Sequence, residues 1–327
     1  MGTGKFVISL DLELMWGVRD TYTLENYGDA IIGARTALEQ ILFSFEKHSI
    51  KATFATVGLL FHKNKKDLLE NLPNMKPSYT IENLSPYPNI ENYLGENELE
   101  NPHYFGYDLI QQIKNSNVHE LATHTYCHYY CLEPGQLISQ FENDLKVAII
   151  VAEKNDVILR SIVFPKNQYN EDYIEVCRKN GITSFRGSEK SRIYESSNSK
   201  EERTLVKKAL RLIDTYINIT GYHCYRLDKI KESFPYNIPS SRFLRPYSEK
   251  LGFMQHLKFL RIKNAMTHAA KNNLVYHLWW HPHNFGRHCK ENIHFLEKIL
   301  KHYDHLNEIY AFQSLTMNEL SHKLNSN

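Results

Sequence analysis

Four short clusters carry side chains from which a hydrolytic site could be built. The first is Asp11-Leu12-Glu13. On an extended chain residues i and i+2 share a face, so both carboxylates point into one crevice. Two acids side by side off a buried strand repel unless a cation or a proton resolves them. The second is His124-Thr-Tyr-Cys-His128, with imidazoles at i and i+4, a spacing that grips a divalent metal when it lies on a helical turn. The chain has seventeen histidines, so such a pair arises easily by chance and gains weight only from the other clusters. Cys127, inside the pair, reads as a small buried thiol rather than a ligand. The third cluster, Leu278-Trp-Trp-His281-Pro-His283-Asn284, sets an imidazole beside two indoles. An apolar wall next to a titratable group suits a general acid, and Trp280 is the indole expected to face substrate. The fourth, Phe164-Pro-Lys166-Asn167-Gln168, is a turn whose N–H groups could serve an oxyanion. Met1-Gly-Thr-Gly-Lys5 lacks the spacing and the Ser/Thr of a phosphate loop.

The elements that must hold these clusters alternate along the chain. Lys5–Leu10 is a short apolar run ending in the acids, as a buried parallel strand would. Asp29–His48 has a helical period, Ala52–Val57 reads as a strand, and a helix follows to about Asn71. Further helices are expected over Tyr107–Lys114, Pro134–Asn155, Glu171–Asn180, Glu201–Ile219, Tyr247–Asn272 and Cys289–Tyr303. Strands are expected over Val118–Thr123, Ser161–Phe164, Ile182–Phe185, Leu274–Trp280 and Ile309–Phe312, before a terminal helix. Such alternation predicts an α/β parallel sheet or barrel, with catalytic groups at the C-terminal ends of strands. All four clusters fall at such ends. There is no internal repeat and no convincing linker, so residues 1–327 read as a single domain. Only 72–105 breaks the rhythm, with five prolines and the aromatics Tyr79, Tyr87, Tyr93, Tyr104 and Phe105. A loop that long in a compact domain is expected to be functional or disordered. A lid offering stacking faces to a sugar is the preferred reading, over an insertion on the far side.

Composition narrows the function. Of 327 residues, 42% are apolar and 23% charged, which excludes a disordered or fibrous chain. Thirty-nine Lys and Arg against 37 Asp and Glu give +2, no electrostatic footprint for nucleic acid or an anionic membrane. No apolar run approaches the ~20 residues of a membrane helix. Five cysteines, odd in number and without a CxxC pair, make neither a disulfide framework nor a thiolate zinc site. The opening residues read as a strand rather than a secretion signal, so a cytoplasmic protein is expected.

Taken together, the clusters resemble the polysaccharide deacetylase (NodB-homology) family of carbohydrate esterases. The strongest piece is His119-Glu-Leu-Ala-Thr-His124-Thr-Tyr-Cys-His128, similar to that family's HE-hydrophobic-G/A-x-H-S/T-x-x-H segment. The order of strand-one acid, His pair, Pro turn and Leu278–His281 also matches, and Ala311–Leu320 looks like the closing strand and helix. The resemblance covers most of the chain. It implies a distorted (β/α)7 barrel, one divalent ion (zinc foremost) and removal of N- or O-acyl groups from sugars. It implies Asp11 as general base, Glu13, His124 and His128 as metal ligands, and His281 as the acid that protonates the leaving amine. Lys166 and Asn167 would help hold the oxyanion. Two departures stand out. Val163 and Phe164 occupy the place of the family's arginine before the Pro turn, and Arg186 is the residue that could supply the missing charge. Glu13 stands where an aspartate, one residue earlier, is usual. The expected substrate is an N-acetyl or N-formyl sugar, nucleotide- or lipid-linked, from a cytosolic biosynthetic pathway; a sugar-binding relative without activity is the alternative.

Overall fold

The computed structural model describes residues 3–195 and 205–326. Its strands are β1 (Lys5–Leu12), β2 (Thr53–Thr56), β3 (Glu120–Thr123), β4 (Ser161–Val163), β5 (Ser184–Arg186), β6 (Tyr236–Asn237), β7 (Arg242–Phe243), β8 (Val275–Trp280) and β9 (Gln313–Leu315). They lie in the order β6-β5-β4-β3-β2-β1-β8-β7, with neighbours parallel. β1 is buried along its whole length and has three partners. It pairs with β8 over Lys5–Leu10, with β2 over Ser9–Leu12 and with β9 over Lys5–Val7. The row curls into a distorted α/β barrel with helices outside.

Alternation along the strands makes two cores. Val7, Ala55, Val163 and Leu315 point inward and meet Met317, Leu320 and Leu324 of the terminal helix Met317–Asn325. That helix closes the end of the barrel where the strands start, called here the floor. Phe6, Ile8, Leu10, Phe54, Leu278 and Trp280 point outward, against Ile31, Leu38 and Phe45 of helix Leu24–Lys47 and Leu296 of helix Cys289–Tyr310. Each such side chain removed from water contributes roughly 1.5–3 kcal/mol before entropy is counted. Two facing glycines seat the turn after β8 on the first helix: a Cβ on Gly286 would lie 1.9 Å from the Ala30 carbonyl oxygen.

Several expectations shift. Helix Cys289–Tyr310 runs about two turns past the expected end at Tyr303, to a left-handed Ala311, so the last strand is Gln313–Leu315 rather than Ile309–Phe312. β6 and β7, two residues each, lie in a stretch that reads as a connection, because two residues show no period. The helix expected from Pro134 begins at Ile138. Of the expected helix Glu201–Ile219, residues Leu205–Tyr216 are helical, while 201–204 fall outside the described residues.

The 72–105 segment is a brace rather than a cover. Among the described residues none of it lines the cavity at the barrel mouth. Tyr79, Tyr87 and Phe105 are buried, Tyr104 packs edge-on to Trp16, and Tyr93 alone of the five is well exposed, at 80%. The Tyr130 N–H donates to Tyr79 Oη (2.8 Å), Met15 N–H to His103 O (3.0 Å) and Trp16 Nε1 to Tyr104 O (2.7 Å). Arg19 bonds to the carbonyls of Asn83 and Leu84. Tyr79 and Tyr104, expected to stack on a sugar, thus help pin the loops after β3 and β1.

Candidate metal centre and active site

At the mouth, β1 ends and the chain turns sharply. Asp11 projects inward with Ser9, and Glu13 follows just beyond the strand. Gly17 makes room for Glu13, since a Cβ there would fall 2.0 Å from the Glu13 Cδ. His124 leaves the end of β3. The expected helical turn for the His pair is absent: Thr125 and His128 take left-handed φ values of 63° and 61°, and this loop geometry brings the rings together at 4.9 Å. Leu14, Lys166 and Asn167 are also left-handed (45°, 52° and 52°). Non-glycine residues in this region are uncommon and cluster where surrounding structure holds a working geometry.

The loop carrying His128 is anchored from behind. Buried Asp144 accepts from the N–H groups of Tyr126 (2.7 Å) and Cys127 (3.1 Å), and Thr125 Oγ1 accepts from Tyr129 N–H (2.6 Å). Cys127 is buried, and burial pushes its thiol well up, so it stays an inert neutral thiol.

Glu13 Oε2 lies 3.3 Å from His124 Nε2 and 3.1 Å from His128 Nε2. Donor atoms of these three buried residues all fall within 4.8 Å of one another. The set fits a divalent ion. A tetrahedral site with arms of ~2.0–2.1 Å has edges of about 3.3 Å, and two imidazoles with one carboxylate leave a position open for water or substrate. The His124 Nδ1–H donates to Val163 O at 2.8 Å, which leaves the Nε2 lone pair facing Glu13. Burial lowers the His128 pKa to about 4 despite the Glu13 carboxylate beside it, so the ring is neutral, as a ligand must be.

Asp11 is held differently. Arg186, from the end of β5, meets it with two 2.7 Å bonds, Nη1 to Oδ1 and Nη2 to Oδ2. Ser9 Oγ bonds both Arg186 Nη1 (2.9 Å) and buried His277 Nε2 (2.9 Å), and the guanidinium lies 4.1 Å over the Trp279 ring. Burial alone would raise the Asp11 pKa, but Arg186, with His124 and His281, holds it below the ordinary range. Burial would likewise raise Glu13, yet His281 and the bonds to His124 and His128 hold it well below. Arg186 offsets one carboxylate. The second lies among imidazoles instead, where a divalent ion would offset it.

His281, at the end of β8, places Nε2 3.7 Å from Asp11 Oδ2 and 3.6 Å from Glu13 Oε1. Its Nδ1 donates to Asn284 Oδ1 (3.0 Å), which orients the ring. The cavity here measures about 300 Å³. Lys166 and Asn167 line it, but the Asn167 N–H is committed to Phe164 O (2.8 Å), so Asn167 offers its side-chain amide rather than its backbone. Lys166 Nζ pairs with Asp20 at 2.6 Å.

Trp280, expected to face substrate, does not line the cavity. It is fully buried on the outer face, between Phe45 and Phe285, and Trp279 lines the cavity instead. The register explains it: Trp279 pairs with inward Ser9 and Trp280 with outward Leu10. Three residues were missed by sequence reading. His283 stacks on His281 at 4.9 Å and points Nε2 at Glu13 Oε1 (3.9 Å), and burial lowers its pKa to about 3. Asp20 supports Lys166. Asn284 orients His281. His283 and Asn284 carried a signal, lying two and three residues past His281; Asp20 sits in a loop with none.

No protein-family model matches this sequence, and no curated protein is similar to it. Solved structures do share the fold. A protein from Mycobacterium smegmatis described as a polysaccharide deacetylase superposes with a TM-score of 0.63 at 12% identity, covering 99% of this chain and 91% of its own. One from Pseudomonas aeruginosa PAO1, described likewise, gives 0.56 at 10% identity, covering 98% and 91%. PuuE allantoinase gives 0.55 at 10% identity, covering 98% and 90%. The chain therefore has the polysaccharide deacetylase fold, a fold that also carries an allantoinase.

Proposed function

We propose that this chain is a metal-dependent hydrolase that removes an N-acyl group, acetyl or formyl, from a sugar. The observation that carries the reading is the convergence of a Glu13–His124–His128 triad, an Arg186-clamped Asp11 and His281 at one mouth. A divalent ion on the triad, zinc in the first instance, would supply Lewis acidity. Asp11 accepts a proton from the attacking water, and Arg186 keeps it ionised and aimed. His281 delivers a proton from Nε2 to the departing amine, with Asn284 fixing its angle. Asn167 and the Lys166 turn face the carbonyl oxygen as charge develops there.

The walls suit a sugar. Tyr22 stacks on Tyr27 at 4.5 Å on one side, and Phe243 packs on Trp279 at 4.7 Å on another. Such faces bury the apolar side of a pyranose while hydroxyls meet polar groups. The deacetylases that share the fold support an acyl sugar over the allantoinase's reaction, because these aromatic faces match a ring of that size. A cytosolic, nucleotide- or lipid-linked biosynthetic intermediate is the substrate class we assign. Five free cysteines, three of them buried, suit a reducing compartment, and no helix among the described residues is long and apolar enough to cross a membrane. Mass spectrometry of N-acetyl and N-formyl sugars incubated with zinc-loaded protein tests this. Release of acetate or formate with the free amine is expected. No release from any of them beyond an Asp11→Asn control would overturn it.

A further inference from the structure

Next to the metal triad the barrel mouth opens into a second cavity of about 350 Å³. It shares Lys166, Asn167, Phe243, Trp279 and His281 with the first, so the two are one continuous space. Its far wall differs in character. Arg211 and Thr215 come from helix Leu205–Tyr216, Arg242 from β7, and Arg245 from just beyond it, with Tyr194 and Glu189 beside them. A chain with a net charge of only +2 thus gathers three arginines and a lysine around one hollow.

Lys166 has its acid in Asp20, whereas Arg242 and Arg245 are only partly met. Asp214, fully buried, is shared between Arg242 Nη1 (2.6 Å) and Arg261 Nη2 (3.5 Å), one carboxylate for two guanidinium groups. Arg242 is only 5% exposed, yet its Nη2 has no hydrogen-bond partner among the described residues. Arg245 has no acidic partner among the described residues; its Nε reaches only Thr215 Oγ1, at 3.4 Å. Burial weakens its protonated form, the mark of a guanidinium held out of water without a counter-ion. Glu189 offers little compensation, since burial raises its pKa toward the neutral acid despite Arg242 and Arg186 nearby. An unpartnered buried donor on a charged group is costly, and such groups persist where a ligand completes them.

We propose that this arginine-lined cavity binds a phosphate ester attached to the sugar whose acyl group sits at the metal triad. The inference rests on the acyl-sugar reading of the adjoining space. Guanidinium forks present paired N–H donors that match phosphate oxygens, and the Thr215 and Tyr194 hydroxyls add neutral donors. Phe243 and Trp279, shared by both cavities, then form the saddle on which the ring rests between its two charged ends.

Binding can be read without turnover. Tryptophan fluorescence and calorimetry on the whole protein, titrated with pyrophosphate, glucosamine 1-phosphate, uridine diphosphate, glucuronate and glucosamine, separate the chemistries. Phosphate-bearing probes should bind at least tenfold tighter than glucosamine and glucuronate, and lose affinity as salt rises. Uridine diphosphate tighter than glucosamine 1-phosphate points to a nucleotide-linked phosphate, and the reverse to a sugar phosphoester. Arg245→Met should weaken them about tenfold or more, a loss of about 1.4 kcal/mol, with Arg245→Lys recovering part of it. Zinc stoichiometry and thermal midpoint serve as controls on folding in both variants. Equal binding of phosphate probes by well-folded Arg245→Met, or a preference for glucuronate, overturns the proposal. Phosphate binding that survives while no acyl sugar is hydrolysed leaves this site standing and sinks the deacylase reading instead.

Discussion

At the mouth of the barrel Asp11 and Glu13 lie among Arg186 and four imidazoles, whereas near the floor Glu120 of β3 has hydroxyls and a helix N-terminus for company. Glu120 Oε2 accepts from Thr53 Oγ1 (2.7 Å) and from the Asn318 N–H (2.9 Å) in the first turn of the terminal helix. Its Oε1 is shielded and has no hydrogen-bond partner among the described residues, although the residue as a whole is partly exposed. Burial raises the Glu120 pKa, and these neutral donors do not bring it back. At the mouth burial pushes the same way and loses, because Arg186 and the imidazoles lie against the carboxylates. Burial does not decide the charge state; the neighbours do. At the floor burial outweighs the neighbours and favours the protonated acid, and at the mouth the neighbours outweigh burial and favour the carboxylates.

Removing the mouth's cation tests this contrast most severely. Arg186→Met should leave Asp11 as an uncompensated buried charge and destabilise the fold by about 3–5 kcal/mol, read from urea unfolding. The double variant Asp11→Asn/Arg186→Met should recover much of that loss. If the double variant is no more stable than Arg186→Met, the pair is not coupled as described.

A milder break targets the room left for Glu13. Gly17→Ala puts a methyl group where the carboxylate lies and should cut zinc affinity roughly 10–100-fold, the range seen when ligand support is lost. Unchanged affinity by chelator competition would mean that Glu13 is not held as a ligand. The brace offers a related handle. Replacing residues 77–95 with a Gly/Ser linker removes Tyr79 and the Asn83 and Leu84 carbonyls from the loops carrying His128 and Glu13. Metal affinity should fall with it; a segment acting only as a cover would change KM and leave metal binding alone.

The floor should respond least, and in a pH-dependent way. A buried acid whose pKa is raised in the folded state binds more protons folded than unfolded. Its contribution to stability therefore declines as pH rises from the unfolded value near 4.5 through the folded one. Glu120→Gln removes that slope, so the variant should gain on the parent as pH increases across this window. A constant difference between the two unfolding curves would show that Glu120 ionises normally.

Much of this was legible in the sequence, and the failures have physical causes. The strand-one acids, the His pair and His281 stand at strand ends because apolar runs stop at them, and the structure brings all five to one place. The period of two in Val275–Trp280 also held the answer that Trp280 misses: His277, Trp279 and His281 share the inward face. The 72–105 aromatics were ambiguous because a stacking face and a packing face have the same composition. Arg186 could be named as a source of charge, but only folding sets β5 where its guanidinium reaches Asp11. The arginines of the second cavity lie on β7, just after it and on a helix some 30 residues earlier, so no local pattern joins them.

On the proposed function Glu13, His124 and His128 hold one divalent ion, while Asp11, clamped by Arg186, stays off the metal as the base. Metal content per chain after zinc loading and desalting, measured side by side for the parent, His128→Ala and Asp11→Asn, tests it most directly. One equivalent is expected in the parent, near none in His128→Ala, and one in Asp11→Asn. Full metal in His128→Ala, or its loss in Asp11→Asn with the fold intact, would contradict the account.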